Sequence, residues 1–298
     1  MKMTTTTPEP KATPVGVHKT APNTVISKTT STGVYLAAAT TFTKGVQYAF
    51  FFDQSRCVSC NVCQIICKDW NNLPSGPGKW NRMFEWEDGS WPNVRMNFLY
   101  APCYHCQTPV CVAACPNHAI YKEGDYGAVL IDPAVCKGAR DCFEACPYGA
   151  ITYRSDLIDP SVQAQKCTMC IDRLDQGQIP ICVASCPMKA LDFGTLSDLQ
   201  SKYGKLQQLP GMPDPSTTNP SIVFKPRDAK KQLVPYDSAK VLALAQQRIG
   251  VSGNPLPNLF NSTTDVTDVS DPTLVTHSQL KMKASNVDEA IKTTVNFD

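Results

Sequence analysis

The sequence predicts an α+β fold: short strands and short helices alternate around closely spaced cysteines, with long irregular extensions at both ends. Three observations lead there. First, all fifteen cysteines of the 298-residue chain lie between Cys57 and Cys186 and fall into four runs. Second, three of those runs close on one hexapeptide, Cys115-Pro116-Asn117-His118-Ala119-Ile120, Cys146-Pro147-Tyr148-Gly149-Ala150-Ile151 and Cys186-Pro187-Met188-Lys189-Ala190-Leu191; a repeated phrase of this kind marks a duplicated unit. Third, composition changes outside the runs. Residues 1–45 are rich in Thr, Pro, Ala and Ser without periodicity, and residues 196–298 hold no cysteine and are broken by Pro210, Pro213, Pro215, Pro220, Pro226, Pro255 and Pro257. The expected organisation is an extended tail over 1–45, a core over 46–195 with an insert at 70–100, and a C-terminal extension over 196–298 that wraps a partner.

The elements follow in chain order. The apolar run Val46–Phe52 reads as a strand leading into the first cysteine loop, and Val94–Tyr100 as a strand before the second. Ala119–Lys122 and Ala128–Asp132 form a hairpin around Gly124-Asp125-Tyr126-Gly127, and Ala150–Arg154 is a further strand. Val110–Ala114, Asp141–Ala145 and Ile181–Ser185 read as short helices. In each repeat the proline ends the turn after the cysteine, and the apolar residue five positions on opens a strand. In the extension only Asp237–Ile249, with Ser238, Val241, Leu242, Leu244 and Ala245, reads as a helix.

The chemistry is carried by the spacing. The runs are Cys57-x2-Cys60-x2-Cys63-x3-Cys67, Cys103-x2-Cys106-x4-Cys111-x3-Cys115, Cys136-x5-Cys142-x3-Cys146 and Cys167-x2-Cys170-x11-Cys182-x3-Cys186. Closely spaced thiolates ending in Cys-Pro are the mark of ferredoxin-type iron–sulfur sites, where the fourth cysteine of a run ligates the other cluster of a pair. Three cysteines on a tight loop reach three corners of one cube. The fourth is expected to open a helix that points away, toward a neighbouring cube. Four runs then mean four sites in tandem double-cluster domains of bacterial-ferredoxin type, which is a wire. Zinc also takes Cys-x2-Cys pairs, but usually as two separated pairs. A disulfide framework would leave one of fifteen cysteines unpaired, in a core that is not a small stapled domain.

The third run lacks a cysteine. A regular run would place one three residues after Cys136, where Ala139 stands. Alanine cannot bind iron, so the expectation is a [3Fe–4S] cluster with that corner empty, beside three [4Fe–4S] clusters. A four-iron cluster completed by Asp141 or water, and an empty site, are the alternatives. A ligand change of this kind sets cluster potential, and this site is expected to be among the most oxidising.

Net charge is +2 with 18% charged residues, so no strong electrostatic partner is implied, and nothing resembles a nucleic-acid stripe. No apolar stretch reaches the roughly 20 residues that span a bilayer. Neither a secretory apolar region nor a twin-arginine pair is seen at the N-terminus, so the chain is expected in the cytoplasm, or exported folded with a signal-bearing partner. No glycine-rich nucleotide fingerprint follows a strand, and no substrate pocket is identified.

Residues about 46–195 resemble the four-cluster iron–sulfur subunit of the molybdenum/tungsten bis-pterin oxidoreductases, the dimethyl-sulfoxide-reductase superfamily. The resemblance rests on the order of the runs, the x4 of Cys106-x4-Cys111, the x11 of Cys170-x11-Cys182, and the phrase Lys166-Cys167-Thr168-Met169-Cys170-Ile171-Asp172-Arg173. It implies a nested pairing: Cys57, Cys60, Cys63 and Cys186 on one cluster; Cys167, Cys170, Cys182 and Cys67 on the next; Cys103, Cys106, Cys111 and Cys146 on the third; Cys136, Cys142 and Cys115 on the fourth. Spacing alone equally allows sequential pairing. The resemblance further implies a non-catalytic electron-transfer subunit. Its partners would be a large molybdenum or tungsten catalytic subunit and a membrane-anchor quinone-reactive or haem subunit. A hydrogenase-type or other soluble complex, and a mainly structural scaffold, are the rival readings.

Other residues are read as supporting. His105 and His118 are taken as loop residues rather than ligands. Trp70, Trp80, Trp86 and Trp91 cluster in the insert and suggest packing or a subunit interface. Lys68, Lys137 and Arg140 lie beside the loops, where they could raise potentials.

Overall fold

Strand β1 (Tyr48–Asp53) has every residue buried, and the reason is that it is central. It pairs antiparallel with β6 (Leu191–Thr195), Phe50 opposite Phe193, and in parallel with β7 (Ile222–Lys225), Phe50 opposite Ile222. A strand covered on both faces reads as a continuous apolar run rather than an alternation. Its two faces still separate with period two. Tyr48, Phe50 and Phe52 enter the main core, whereas Ala49 and Phe51 pack with Leu196, Leu199 and Val223 in a smaller one. The computed structural model describes residues 41–88, 95–153, 162–228, 237–247, 253, 262 and 280–292. Residues 1–40 and the positions Trp91, Val94, Arg154, Ile249, Pro255 and Pro257 lie outside them.

Two further two-stranded sheets flank this one. In the insert, β2 (Asn81–Asp88) and β3 (Arg95–Pro102) pair antiparallel from Asn81–Pro102 to Asp88–Arg95. The hairpin β4 (Ile120–Lys122) and β5 (Val129–Ile131) pairs Tyr121 with Leu130. The helices are α1 (Val62–Trp70), α2 (Val110–Ala114), α3 (Asp141–Ala145), α4 (Ile171–Leu174), α5 (Ile181–Ala184), α6 (Leu196–Tyr203), α7 (Ser238–Gln246) and α8 (Val287–Lys292). Helix α1 packs on α5, and α2 on α3. The class is α+β and ferredoxin-like.

Two expectations are corrected. Ala150–Arg154 is not a strand: among the described residues it makes one isolated bridge, Thr152 to Gln165. Ile120 and Leu191 do open strands, but after Ile151 no neighbouring strand among the described residues offers a ladder. The fourth cysteine of a run does not open a helix either. Cys67 lies in the last turn of α1, and Cys115 and Cys146 are the extended residues that close α2 and α3. The last two thiols of these runs are therefore one helical turn apart.

The C-terminal extension contributes to this chain's own core. Thr195 caps α6 by accepting the Asp198 N–H (3.2 Å). Leu209, Met212, Phe224, Met282, Ala284 and Val287 are buried in the main core. Asp237 caps α7 through the Lys240 N–H (3.0 Å). In the insert, Trp86 is buried, while Trp70 stacks against Arg173 (4.6 Å) and donates its Nε1–H to Asp172 (2.9 Å).

Candidate metal centres

One backbone device recurs at the start of each run. The residue two positions after the first cysteine has positive φ: Ser59 (52°), His105 (45°), Gly138 (71°) and Met169 (61°). In three of the four, its N–H turns back to the first thiol, Ser59 to Cys57 (3.5 Å), His105 to Cys103 (3.5 Å) and Met169 to Cys167 (3.4 Å). Left-handed backbone is costly for side-chain-bearing residues and persists where surroundings over-determine it.

A second device closes each repeat. After Cys-Pro-x, the next residue is again left-handed: His118 (51°), Gly149 (59°) and Lys189 (51°). Its N–H bonds the cysteine carbonyl, as in His118 to Cys115 (3.1 Å). The following alanine then donates to the thiol itself, Ala119 to Cys115 and Ala190 to Cys186, both 3.3 Å. This explains why the slot holds His, Gly or Lys: the backbone, not the side chain, is the shared feature. The glycine at 149 was the visible signal of it.

The fold gathers the thiols of run four with run one, and those of run three with run two. Cys57, Cys60, Cys63 and Cys186 line one cavity of about 340 Å³, walled by Phe52, Met83 and Leu191. Cys115, Cys136 and Cys142 line another of about 300 Å³ with Ala139, Arg140 and Asp141. The remaining two groups show in their electrostatics. Burial pushes Cys67 far above the thiol range, and Cys167 and Cys170 add to it. Burial likewise raises Cys182, reinforced by Cys170 and Cys67. Burial raises Cys111 to about 12, with Cys103 and Cys146 contributing, and Cys106 rises for the same reasons. Cys63 and Cys142 also rise to about 12, by burial and by neighbouring thiols.

Thiols so placed resist ionisation unless positive charge sits among them. A soft, multi-iron group supplies that charge to grouped thiolates. Hydrogen-bond donors also point at sulfur: Tyr100 Oη lies 3.1 Å from Cys182 Sγ, and Asn71 donates to Cys67 (3.6 Å). The donor set therefore fits iron–sulfur clusters. Among the described residues no three His, Cys, Asp or Glu converge on a point as a single ion would require; the thiols stand around cavity walls.

Comparison with known proteins agrees. The family described as a 4Fe-4S dicluster domain matches residues 94–196. The B subunit of the anaerobic dimethyl sulfoxide reductase of Escherichia coli K12 is 40% identical over 188 residues, covering 60% of this chain and 89% of that protein. This chain belongs to the iron–sulfur subunits of the dimethyl-sulfoxide-reductase family. The YnfG subunit of a probable anaerobic dimethyl sulfoxide reductase of the same organism is 40% identical over 189 residues, with 60% and 89% covered. Its Protein NrfC is 33% identical over 184 residues, with 61% and 80% covered. The first two of these relatives are chains of dimethyl sulfoxide reductases by name. Among the described residues no helix is long and apolar enough to cross a membrane.

His105 is the loop residue its position suggested, and Lys166, Arg82 and Tyr100 add contacts that spacing alone does not show. His105 is fully buried, and its Nδ1 accepts the Val129 N–H (2.9 Å), which fixes the ring inside the second loop. The Lys166 ammonium is buried and bonds the carbonyls of Val129 and Cys167. Arg82 donates to the carbonyls of Tyr148 (2.7 Å) and Met282 (2.9 Å). Burial holds the Arg82 guanidinium down at about 10. Nothing in local spacing links Arg82 or Tyr100 to cysteines far along the chain. Lys166 was visible only as the residue before Cys167.

Proposed function

We propose that this chain relays single electrons through four iron–sulfur clusters, between a molybdenum or tungsten catalytic subunit and a redox partner such as a membrane quinone-reactive or haem subunit. The chain itself catalyses no substrate chemistry in this reading. The observation that carries it is the sharing of helices. Each of α1, α2 and α3 carries the next-to-last thiol of its run, with the last one turn on, and the two thiols of each pair face different groups.

The ligand sets proposed are Cys57, Cys60, Cys63 and Cys186; Cys67, Cys167, Cys170 and Cys182; Cys103, Cys106, Cys111 and Cys146; and Cys115, Cys136 and Cys142. The last has Ala139 at the missing corner and takes a [3Fe–4S] cluster, while the others take [4Fe–4S] clusters. Bound clusters supply one-electron redox chemistry. The chain's residues do the rest. Left-handed loops aim the thiols, N–H donors from Ser59, His105, Met169, Ala119 and Ala190 face the sulfurs, and the aromatic core around Phe50, Tyr100 and Tyr104 excludes water. The tandem double-cluster arrangement rests on the repeat and on the α1–α5 and α2–α3 packing. The proline-rich parts of the extensions outside the core are assigned to wrapping the catalytic partner.

The test is EPR spectroscopy of the purified, air-oxidised complex with iron counted per chain. An isotropic three-iron signal with about fifteen irons per chain is the expected result. About sixteen irons without that signal would mean a substitute ligand completes the fourth cube. A colourless, iron-free chain would overturn the reading.

A further inference from the structure

The four thiol groups differ in the charges that surround them. Three cations clamp the peptides that carry the Cys103, Cys106, Cys111 and Cys146 thiols. Lys122 Nζ donates to the carbonyls of Cys106 (2.9 Å), Gly127 (2.9 Å) and His105 (3.4 Å). Arg82 Nη2 donates to Tyr148 O (2.7 Å), inside the turn that follows Cys146. Lys166 Nζ reaches Val129 O, and the Val129 N–H in turn holds His105 between Cys103 and Cys106.

None of the three has a carboxylate within ion-pair distance among the described residues. The nearest acid in sequence to Lys122, Glu123, is occupied by the N–H groups of Asp125 and Tyr126. Lys166 is buried, Arg82 half-buried and Lys122 exposed at the end of β4; a buried cation without a carboxylate, as at Lys166, is expensive unless other negative charge compensates it. All three stand close to thiols of this group: Arg82 to Cys146 and Cys103 as well as the Tyr104 hydroxyl, Lys166 to Cys111, and Lys122 to Cys106 and Cys103 with Glu123 beside them. Elsewhere the charges are mixed. Asp172 and Arg173 oppose one another beside Cys170, and Lys137 and Arg140 line the Cys142 cavity together with Asp141. Beside Cys57 the cation is Arg227.

We infer that Arg82, Lys122 and Lys166 form a cationic cage that makes the Cys103–Cys106–Cys111–Cys146 site the electron-retaining stop among the three four-thiol sites. The inference rests on the electron-transfer reading above. Each electron that arrives adds one negative charge and makes or breaks no bond. Fixed positive charge in a low-dielectric setting favours the reduced form, so this site holds the electron longer than its four-thiol neighbours.

The experiment is a mediated redox titration followed by EPR, on the purified complex, with iron counted in parallel. Lys122→Met is the principal variant, because Lys122 lies at the exposed end of β4 and its loss leaves the buried packing intact. Lys166→Met is the buried companion, and Lys122→Arg keeps the charge. In the wild type, one [4Fe–4S] signal should have the highest midpoint of the three. In Lys122→Met that signal alone should move down, by about tenfold in the reduced-to-oxidised ratio, which is about 59 mV for a one-electron couple. Lys166→Met should move the same signal the same way, and Lys122→Arg should leave it in place. Full iron content with unmoved midpoints would overturn the cage, as would equal shifts in Lys122→Met and Lys122→Arg. A preparation without iron would instead overturn the electron-transfer reading on which the cage depends.

Discussion

Gly149→Ala tests why one of three equivalent turns must hold glycine. The slot is left-handed in all three repeats, yet His118 and Lys189 occupy it with φ of 51° each. Conformation alone therefore does not exclude a side chain. Space does: a Cβ on Gly149 would lie 2.6 Å from Met282 O, 2.9 Å from Lys283 Cα and 3.2 Å from Arg82 Nη1. Two of those atoms are backbone, so the C-terminal segment would have to move. Left-handed φ costs an alanine about 1 kcal/mol, and overpacking of this severity about 1–3 kcal/mol more. Moving the segment also loosens Met282, Ala284 and Val287 from the core and disturbs both Arg82 hydrogen bonds. The expected total is about 3 kcal/mol, or roughly 10 °C in apparent midpoint for a domain of this size. Thermal unfolding by circular dichroism measures it, and limited proteolysis near residue 283 should become faster. Lys189→Ala is the control: same turn, same φ, exposed side chain, and an expected change within about 0.5 kcal/mol. If Gly149→Ala and Lys189→Ala melt together, crowding by the C-terminal segment is not what demands the glycine.

Three further outcomes follow from the same geometry. Ala139→Cys places a thiol in the cavity it already shares with Cys115, Cys136 and Cys142; iron per chain should rise from about fifteen to about sixteen and the three-iron EPR signal should vanish. Tyr100→Phe removes the hydroxyl 3.1 Å from Cys182 and should lower the midpoint of one [4Fe–4S] signal by roughly 30–60 mV in a redox titration, with iron content unchanged. Asp53 is pushed up by burial but pulled lower overall by Ser55 and Lys225, whose ammonium is 3.1 Å away. Because the folded carboxyl titrates below its unfolded value, its contribution is present above about pH 4 and is lost as pH falls through the folded pKa. Asp53→Asn should therefore cost about 1–2 kcal/mol at pH 6, and the gap to wild type should close in acid; a gap independent of pH would count against the assignment.

The sequence by itself determined the local units. Cysteine spacing and the Cys-Pro-x-x-Ala repeat place α2 at Val110–Ala114 and α3 at Asp141–Ala145, the β4–β5 hairpin around Gly124–Gly127, and β1 in the apolar run before Cys57. These are legible because each is dictated within a few residues, by an apolar run, a turn or a proline. The insert hairpin β2–β3 was less so, although Phe84-Glu85-Trp86-Glu87 alternates in polarity as a strand does. Tertiary structure decided what spacing left open. Run four returns to run one because β6 pairs with β1, and run three returns to run two because α3 packs on α2. It also turned part of the apparently broken C-terminal extension into core, since β7 takes its ladder from β1 and Met282 packs over the Cys146 turn. The charge around each site was decided there too: Arg82, Lys122 and Lys166 come from three separate stretches of chain and meet only when the sheets and loops close around them. Hydrogen-bond ladders and packing join residues distant in sequence, and no local pattern records which partner each will find.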